Sequence, residues 1–340
     1  MHPKELYHTV ISAHWASLWC VLRTLRTWIK VSLLGLLILF IYIIHHIYAY
    51  VTPPPLLYIP DSNSSLTQAF NDQGVSFNLL DYRLLKRYPS PTEGWVRFNP
   101  DNKLSREEFL QSLLAKPREK TRRLVMYSGD SIDYFSHRTA KQTNLSPTSI
   151  LQAYKDISPY YDGGILAGFY QIPYRTTPFS ITYYMTQRSE KRFEEFATQY
   201  DISYDTNTWN QILTIASIIQ KETQNTKEMP LIASVIYNRL GKEMKLQLDA
   251  TLNYGKYSHQ IITPQRIKED KSDYNTYLHA GLPPHPIGSV SPAALIAALK
   301  PAKTDYLYFM LSDNGSHNFA STYEEHLANI RWYKKQKMKR

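Results

Sequence analysis

A run of 21 residues, from Val31 to Val51, constrains this chain more than any other feature because it contains no Asp, Glu, Lys or Arg. About 20 mostly apolar residues are enough for a helix to cross the hydrocarbon core of a bilayer. The far end of the run carries amphipathic rings of the kind favoured at a membrane–water interface, namely His45, His46, Tyr48 and Tyr50. The run therefore predicts a single transmembrane helix over residues 31–51.

Basic residues flank only one end of this run. No Lys or Arg occurs from Val31 through Tyr82, whereas several precede the run: Lys4, Arg23, Arg26 and Lys30. Positively charged flanks stay on the cytoplasmic side of a membrane. Residues 1–30 are therefore predicted to be a cytoplasmic leader that either lies along the inner leaflet or is unstructured. Residues 52–340 are predicted to be periplasmic.

A cleaved signal peptide is the alternative to an anchor. Its apolar core is usually about 7–15 residues long, and a small-residue cleavage site follows it. This run is longer, and Pro53-Pro54-Pro55 follows it instead. The sequence therefore favours a single-pass protein of the inner membrane.

Composition excludes several other classes. The chain of 340 residues is 43% hydrophobic and 20% charged, which indicates two or three globular units rather than disorder. Cys20 is the single cysteine, so neither a disulfide within the chain nor a Cys-rich metal site is possible. The net charge of +10 fits an anionic polymer or a lipid surface, and it fits an ordinary basic protein equally well. The Lys-rich C-terminus is interpreted as a solvated helix end, so no nucleic-acid partner is expected.

Three segments follow the predicted membrane helix. Residues 52–120 are expected to form a membrane-proximal αβ segment that begins with a stiff stalk at Pro53-Pro54-Pro55. Residues 121–200 begin with a strand and two helices and end in a connector. Residues 201–340 form the last unit. This order predicts an α+β fold.

Two capping boxes mark predicted helix starts. Ser105 with Glu108, and Thr208 with Gln211, each place a hydroxyl three residues before Glu or Gln. The first pair predicts a helix within residues 102–114, and the second predicts a helix that opens near Thr208.

The helix after Thr208 carries the strongest candidate for chemistry. Ile215, Ile218 and Glu222 follow one another at i+3 and i+4 spacing, which places a carboxylate at the end of an apolar face. A carboxyl group deprived of water has a raised pKa and can donate a proton near neutral pH. Helix position alone favours a carboxylate that simply reaches solvent at the helix end.

Short blocks in a fixed order make the assignment specific. Residues 216–319 contain, in sequence, ASIIQKET, ASVIYNRL, LQLDAT, YNTY, GLPPHPIGSVSPAALIAALKPA, YLYF and HNF. This series resembles the catalytic domain of the MltG/YceG endolytic transglycosylases over about residues 201–333. The resemblance implies a mixed α/β catalytic domain over 201–340. It also implies a small LysM-like αβ module within 121–200, which either binds N-acetyl sugar polymers or acts as a spacer.

The resemblance also implies a set of site residues. The family's catalytic glutamate matches Glu222, and Gln220 stands where many relatives carry a second acidic residue. Side chains expected to contact or position the sugar are Gln247, Asp249, Asn275, Tyr274, Tyr277 and Asn238. Alternatives from the residues themselves are that Asp249 caps a turn, that Asn275 bonds loop backbone and that one of the tyrosines packs in the core. The chain departs from the family pattern at Leu248, Ala250 and His285.

The reaction implied is cleavage of peptidoglycan glycan strands. Glu222 would protonate the oxygen that links MurNAc to GlcNAc and then accept a proton as the MurNAc C6 hydroxyl attacks its own C1. The product is a 1,6-anhydro-MurNAc end, released from nascent strands beside penicillin-binding synthases, which limits strand length. Alternatives are a non-catalytic scaffold for those synthases and a hydrolytic muramidase with Asp249 as second carboxylate.

Neither a metal nor a cofactor is expected. His285 and His317 lack the clustered His/Asp/Glu spacing of a metal site, and His317 is interpreted as a loop-ordering group. The sequence has no G-x-S-x-G elbow and no Gly-rich phosphate loop.

Overall fold

The computed structural model describes residues 3–60, 65–99, 101–255, 258, 260–312 and 315–337. The side chains of residues 3–22 and 24 lie outside this description, so what the sequence predicts for the leader and for Cys20 stays a prediction. The described chain mixes helices with two-stranded antiparallel sheets, as the α+β prediction requires. It divides into two compact units, Met1–Glu119 and Lys120–Arg340.

One long helix, α1 (Pro3–Tyr48), opens the chain. Its segment Leu25–Tyr48 has 24 residues and a mean hydropathy of 2.2, and its most apolar 18-residue window is not buried inside the protein, so it is long and apolar enough to cross a membrane. The helix ends three residues before the predicted end at Val51. It ends there because Tyr50–Val51 leave the helix as strand β1, which pairs with β4 (Leu104–Ser105).

The rest of the first unit is a small αβ fold. Its other elements are β2 (Leu56–Ile59), α2 (Leu66–Asp72), α3 (Leu79–Leu85), β3 (Gly94–Arg97) and α4 (Arg106–Ala115). The antiparallel pair β2–β3 covers a core in which Leu57, Ile59, Phe70, Phe77 and Phe109 are almost completely buried. Burying each such side chain stabilises the fold by about 1.5–3 kcal/mol.

The predicted proline stalk is part of this fold. Pro53 is buried, and the Pro55 carbonyl accepts the Phe98 backbone N–H at 3.0 Å. The chain enters β2 directly at Leu56, so these prolines lead into a sheet instead of forming a separate spacer.

A buried ionic cluster joins α1 to this unit. Asp81 is 0% exposed, and its Oδ1 lies 2.9 Å from His46 Nε2 and 3.4 Å from Arg106 Nε. Its Oδ2 accepts the Asn78 backbone N–H at 2.9 Å. The Arg106 guanidinium, the His46 ring and a backbone donor therefore surround this carboxyl group, as a buried polar group requires.

The second unit begins with a strand, two helices and a returning strand. These are β5 (Thr121–Met126), α5 (Ile132–Thr143), α6 (Pro147–Ile157) and β6 (Gly168–Pro173), followed by the long helix α7 (Pro178–Tyr200). β5 and β6 pair antiparallel from Thr121↔Pro173 to Met126↔Gly168. The predicted strand and two helices are present, and β6 completes their sheet.

The remainder of this unit packs around α8. Its elements are α8 (Thr206–Glu222), α9 (Met229–Gly241), α10 (Asp249–Leu252), α11 (Pro264–Glu269), α12 (Pro292–Leu299), β7 (Tyr308–Leu311), β8 (His317–Ala320) and α13 (Tyr323–Lys337). α8 lies against α9 and α12, and the shared core includes the fully buried Trp209, Leu213, Ile218, Ile232 and Leu295.

The observed helix caps agree with the sequence prediction at α4 and differ from it at α8. Ser105 caps α4 with Glu108 in the predicted box. Asp205, not Thr208, caps α8, and its carboxylate accepts the Thr208 N–H at 2.9 Å. A competing cap three residues upstream therefore starts the helix earlier, because Asp is as good a cap as Thr or better.

Candidate functional site

The carboxyl group of Glu222 lies where α8 leaves the core. The residues before it on the same face, Ile215 and Ile218, are 3% and 0% exposed. Glu222 is the last residue of the helix and is only half-buried, since Thr223 already has extended backbone. The apolar stripe therefore delivers this side chain to the edge of the core, as its spacing predicts.

Local surroundings keep Glu222 protonated to higher pH than usual. Burial is the largest cause and raises the pKa of this carboxyl to about 7, and the neighbouring charge of Asp249 acts in the same direction. The Ala250 backbone N–H donates to Oε1 at 3.2 Å and partly opposes the shift. Among the described residues this is the only hydrogen bond that the Glu222 carboxyl group accepts, so Oε2 is open to a ligand. A group with a pKa near 7 can donate and accept a proton at neutral pH.

Asp249 and Tyr277 form a bonded pair beside Glu222. The Tyr277 hydroxyl donates to Asp249 Oδ1 at 2.7 Å, and Asp249 is exposed at the start of α10. Burial and the bond to Asp249 raise the pKa of Tyr277, and the charge of Glu222 adds to the shift. The phenol thus fixes the direction of the Asp249 carboxylate.

Gln247 lies on the loop before α10 in an unusual backbone conformation. Its φ of 51° is in the left-handed region, which is costly for a residue with a side chain. The Gln247 N–H donates to the Thr276 carbonyl at 3.1 Å, and the Leu248 N–H donates to Thr276 Oγ1 at 3.0 Å. These bonds join the 247–251 loop to the 274–277 loop and leave the Gln247 side chain exposed.

Asn275 and Tyr274 contribute in different ways. Asn275 is 0% exposed, and its amide donates to the carbonyls of Ile267 and Asp270 at 2.8 and 2.7 Å. These contacts favour the alternative in which Asn275 orders loop backbone. Tyr274 is half-buried, with its ring centroid 4.8 Å from that of Tyr254.

Asn238 bonds to the scaffold. Its amide donates to the carbonyls of Thr304 and Tyr306 at 2.8 and 2.9 Å. Sequence reasoning did not single out the next residue, Arg239, which is buried and donates to the Leu307 and Leu246 carbonyls at 2.6 and 2.7 Å. Arg239 therefore secures the backbone that leads towards Gln247, whereas Asn238 secures the segment at 304–306.

A second buried carboxylate, Asp162, was missed by sequence reasoning. It is 1% exposed, and Tyr254 donates to its Oδ2 at 3.0 Å, which joins positions 92 residues apart. Burial raises the pKa of Asp162 to about 6, although hydrogen bonds and the charge of Lys221 lower it. Lys221, the neighbour of Glu222, donates to the Asn253 carbonyl at 3.2 Å. No local pattern in the sequence indicates a contact over such a separation.

Two other predicted positions have structural partners. Gln220 accepts the Ser291 N–H at 3.1 Å and so supports the start of α12. His317 Nδ1 lies 2.7 Å from Glu228 Oε2, which confirms that His317 orders a loop.

A cavity of about 430 Å³ lies away from Glu222. It is lined by Asn210, Gln211, Thr214, Leu240, Leu282, Pro283 and Pro284. Asn210 precedes Glu222 on α8 by 12 residues, which is about 18 Å along a helix axis. The cavity is therefore separate from the carboxylate site. Within the described ranges, no group of three His, Cys, Asp or Glu residues could hold a metal ion.

Known proteins are similar to this chain in sequence and in fold. A profile of the YceG-like family matches residues 61–332. An endolytic murein transglycosylase of Bacillus subtilis is 43% identical over 117 residues, which cover 34% of this chain and 32% of that protein. An endolytic murein transglycosylase of Streptococcus pneumoniae is 32% identical over 175 residues, 50% of this chain and 31% of that protein. The matches thus span about a third of these curated relatives.

A solved structure agrees with the sequence matches. The crystal structure of a YceG-like protein from Listeria monocytogenes superposes with a TM-score of 0.52 at 25% identity. The superposition covers 80% of this chain and 97% of the Listeria chain. The likeness therefore extends well beyond the block-rich region of residues 216–319.

Proposed function

The chain belongs to the YceG-like family, and on that premise we propose that it is an endolytic murein transglycosylase. The substrate is the MurNAc–GlcNAc β-1,4 bond of peptidoglycan glycan strands. The observation that carries the proposal is the position of Glu222, a half-buried carboxyl at a helix end with a pKa of about 7.

One carboxyl group performs both proton transfers in this reaction. Glu222 donates its proton to the glycosidic oxygen as the bond to MurNAc C1 breaks, and GlcNAc leaves with a free C4 hydroxyl. The carboxylate then takes the proton of the MurNAc C6 hydroxyl as that oxygen bonds to C1. Because the nucleophile is part of the same sugar, the reaction gains the advantage of an intramolecular step. No water is consumed, and the product is a 1,6-anhydro end.

Asp249 and Gln247 are proposed to face the sugar beside Glu222. Both side chains are exposed, and the Tyr277 hydroxyl orients the Asp249 carboxylate. A negative charge here supports a protonated Glu222 before cleavage and stabilises oxocarbenium-like charge at C1 during cleavage. Tyr277 therefore acts through Asp249.

The remaining predicted residues divide into two roles. Tyr274 is proposed to present a ring edge to the substrate, since it is half-buried and held by Tyr254. Asn275 and Asn238 are proposed to hold loops, since their amides bond backbone carbonyls.

The segments that precede residues 201–340 are consistent with a protein that acts at a membrane. We propose that α1 anchors the chain in the inner membrane with its N-terminus cytoplasmic and residues 52–340 periplasmic, close to penicillin-binding synthases. The apolar segment Leu25–Tyr48 and the basic residues before it support this orientation. Residues 121–200 are proposed to be a LysM-like module with a connector, and 201–340 the catalytic domain. The order β5–α5–α6–β6 supports the first assignment.

Product analysis tests the proposed function. The full chain in detergent micelles is incubated with uncrosslinked glycan strands, and the released muropeptides are identified by mass spectrometry. Glu222→Gln removes the acid/base, and Glu194→Gln, an exposed residue of α7, is the matched control. Anhydro ends from the wild type and Glu194→Gln alone support the proposal. Reducing ends would establish a muramidase, and no release by any folded variant would establish a scaffold.

A further inference from the structure

An exposed pair of stacked rings lies in the same unit as Glu222. Tyr161 is 52% exposed although both neighbours are buried, with Tyr160 at 3% and Asp162 at 1%. Its ring centroid is 5.1 Å from that of His285, and the two planes differ by 21°. The His285 ring therefore lies against the Tyr161 ring from a separate loop, and about half of the Tyr161 side chain stays exposed.

The loop that carries Tyr161 is held rigidly from below. Asp162 accepts the Ile132 and Gly163 backbone N–H groups at 3.1 and 2.7 Å, in addition to the Tyr254 hydroxyl. The pair is thus fixed before any ligand arrives, which reduces the entropy lost on binding.

The loop that carries His285 packs closely against the first. A Cβ placed on Gly163, whose φ is +71°, would lie 2.7 Å from Pro286 Cβ. Only glycine fits this approach, and it sets the spacing between Tyr161 and His285. The two rings are therefore a feature of the fold and not of one mobile side chain.

Direct contacts connect this pair to the Glu222 site. Asp162, next to Tyr161, bonds Tyr254, whose ring lies against Tyr274. The ammonium of Lys221, next to Glu222, is 5.9 Å from the Tyr254 ring centroid. The pair and the Glu222 site are therefore held by the same set of packed side chains.

The chemistry of the surface suits a sugar chain with acidic substituents. Pyranose rings place their C–H faces on aromatic rings, and Tyr and His offer polar edges to the hydroxyl groups. The Lys155 ammonium is 5.9 Å from the Tyr161 ring centroid, where it can meet a carboxylate of the peptide attached to MurNAc. An apolar peptide would leave this cation and both polar edges without partners.

We propose that Tyr161 and His285 form a sugar-stacking subsite that binds a glycan strand beyond the cleavage point. The proposal rests on the proposed function for the identity of the strand. It makes this surface a determinant of substrate affinity and assigns it no role in proton transfer.

Binding of a β-1,4-linked GlcNAc hexasaccharide tests the subsite without cleavage. The full chain carrying Glu222→Gln is titrated in micelles by calorimetry, alone and with Tyr161→Ala, His285→Ala or Tyr161→Phe. Tyr323→Ala is the matched control, because Tyr323 is 54% exposed and also lies beside a histidine, His326, at 6.3 Å. Tyr161→Ala should weaken binding about tenfold, the effect of one lost aromatic contact. Tyr161→Phe and Tyr323→Ala should stay close to the parent.

Turnover in the wild-type background separates this subsite from a folding effect. Tyr161→Ala should raise KM for glycan strands at unchanged kcat, whereas a damaged fold lowers kcat. Unchanged hexasaccharide affinity in Tyr161→Ala, equal loss in Tyr323→Ala, or no binding by the parent would each overturn the subsite. Failure of Glu222→Gln to affect cleavage would refute the proposed acid/base and leave the binding result standing.

Discussion

Two carboxylates, the buried Asp81 of the first unit and the half-buried Glu222 of the second, have different surroundings. Asp81 lies within reach of His46 and Arg106 and accepts a backbone N–H. Glu222 accepts one N–H, from Ala250, and the ammonium of the adjacent Lys221 donates to the Asn253 carbonyl instead. Arg106 gives the buried Asp81 a counter-charge, whereas Glu222 has a single hydrogen-bond donor and its pKa is raised. The first arrangement stabilises a fold, and the second suits proton transfer.

Asp162 lies between these two cases. It is as buried as Asp81 and accepts N–H and O–H donors, but its pKa is still raised to about 6. The hydrogen bonds and the charge of Lys221 therefore offset only part of the cost of burying Asp162.

The largest expected effect is the loss of stability when Asp81 is replaced by its neutral amide. Asp81→Asn should lower the free energy of unfolding of the first unit by about 3–5 kcal/mol, because Arg106 remains buried without its counter-charge. Urea denaturation of the full chain in micelles measures this loss. Asp101→Asn, an exposed control, should change stability by no more than about 0.5 kcal/mol. If Asp81→Asn unfolded at the same urea concentration as the wild type, Asp81 would not be a stabilising carboxylate, and its contrast with Glu222 would be lost.

Asp249 tests the electrostatics of the reactive carboxyl. Its negative charge raises the pKa of Glu222, so Asp249→Asn should lower that pKa. A general acid works only while protonated, so the alkaline fall of the cleavage rate should move to lower pH. A shift of about one pKa unit corresponds to about a tenfold lower rate on that limb. Tyr277→Phe keeps the Asp249 charge and should leave the limb in place, and a pH–rate profile compares the two.

Stability against pH gives a smaller and independent effect. The pKa of Glu222 is raised from 4.5 to about 7 by folding, so the folded state binds more protons between these values. The stability that this proton contributes is present at low pH and is lost as pH rises through about 7. Glu222→Gln should therefore melt at about the wild-type temperature at low pH and about 2–4 °C higher at pH 8. If the pKa of Glu222 were ordinary, calorimetric scans would show the same difference in melting temperature between Glu222→Gln and the wild type at both pH values.

Asn238 should give the smallest effect. Asn238→Ala removes donors to two carbonyls and should cost about 1 kcal/mol of stability. Cleavage per folded molecule should not change. If Asn238→Ala instead raised KM and kept wild-type stability, the result would support the sugar contact that the sequence predicts for this residue.

Much of this architecture could be predicted from local patterns. The apolar run around Leu36 predicts the membrane helix, and the i+3 and i+4 spacing of Ile215 and Ile218 predicts where Glu222 emerges. Ser105 predicts its own cap because its partner Glu108 is three residues away. Each of these features depends on neighbours within one or two helical turns.

What the sequence did not reveal depends on distant partners. Asp162 and Tyr254 meet across 92 positions, and Arg239 reaches a carbonyl 68 positions away. Asn275 has the residue type of a sugar ligand, but its burial follows from where α11 ends, and no local pattern shows that. Long-range packing therefore decides which polar residues of a loop face the substrate.

The rate of 1,6-anhydro end formation per folded molecule tests the central claim most directly. Glu222→Gln and Asp81→Asn are measured beside the wild type, with the folded fraction taken from circular dichroism. Glu222→Gln should lose activity by about 10²–10⁴-fold, the usual contribution of acid/base catalysis, while Asp81→Asn retains the wild-type rate per folded molecule. Wild-type cleavage by Glu222→Gln would contradict the account, because another group would then move the proton.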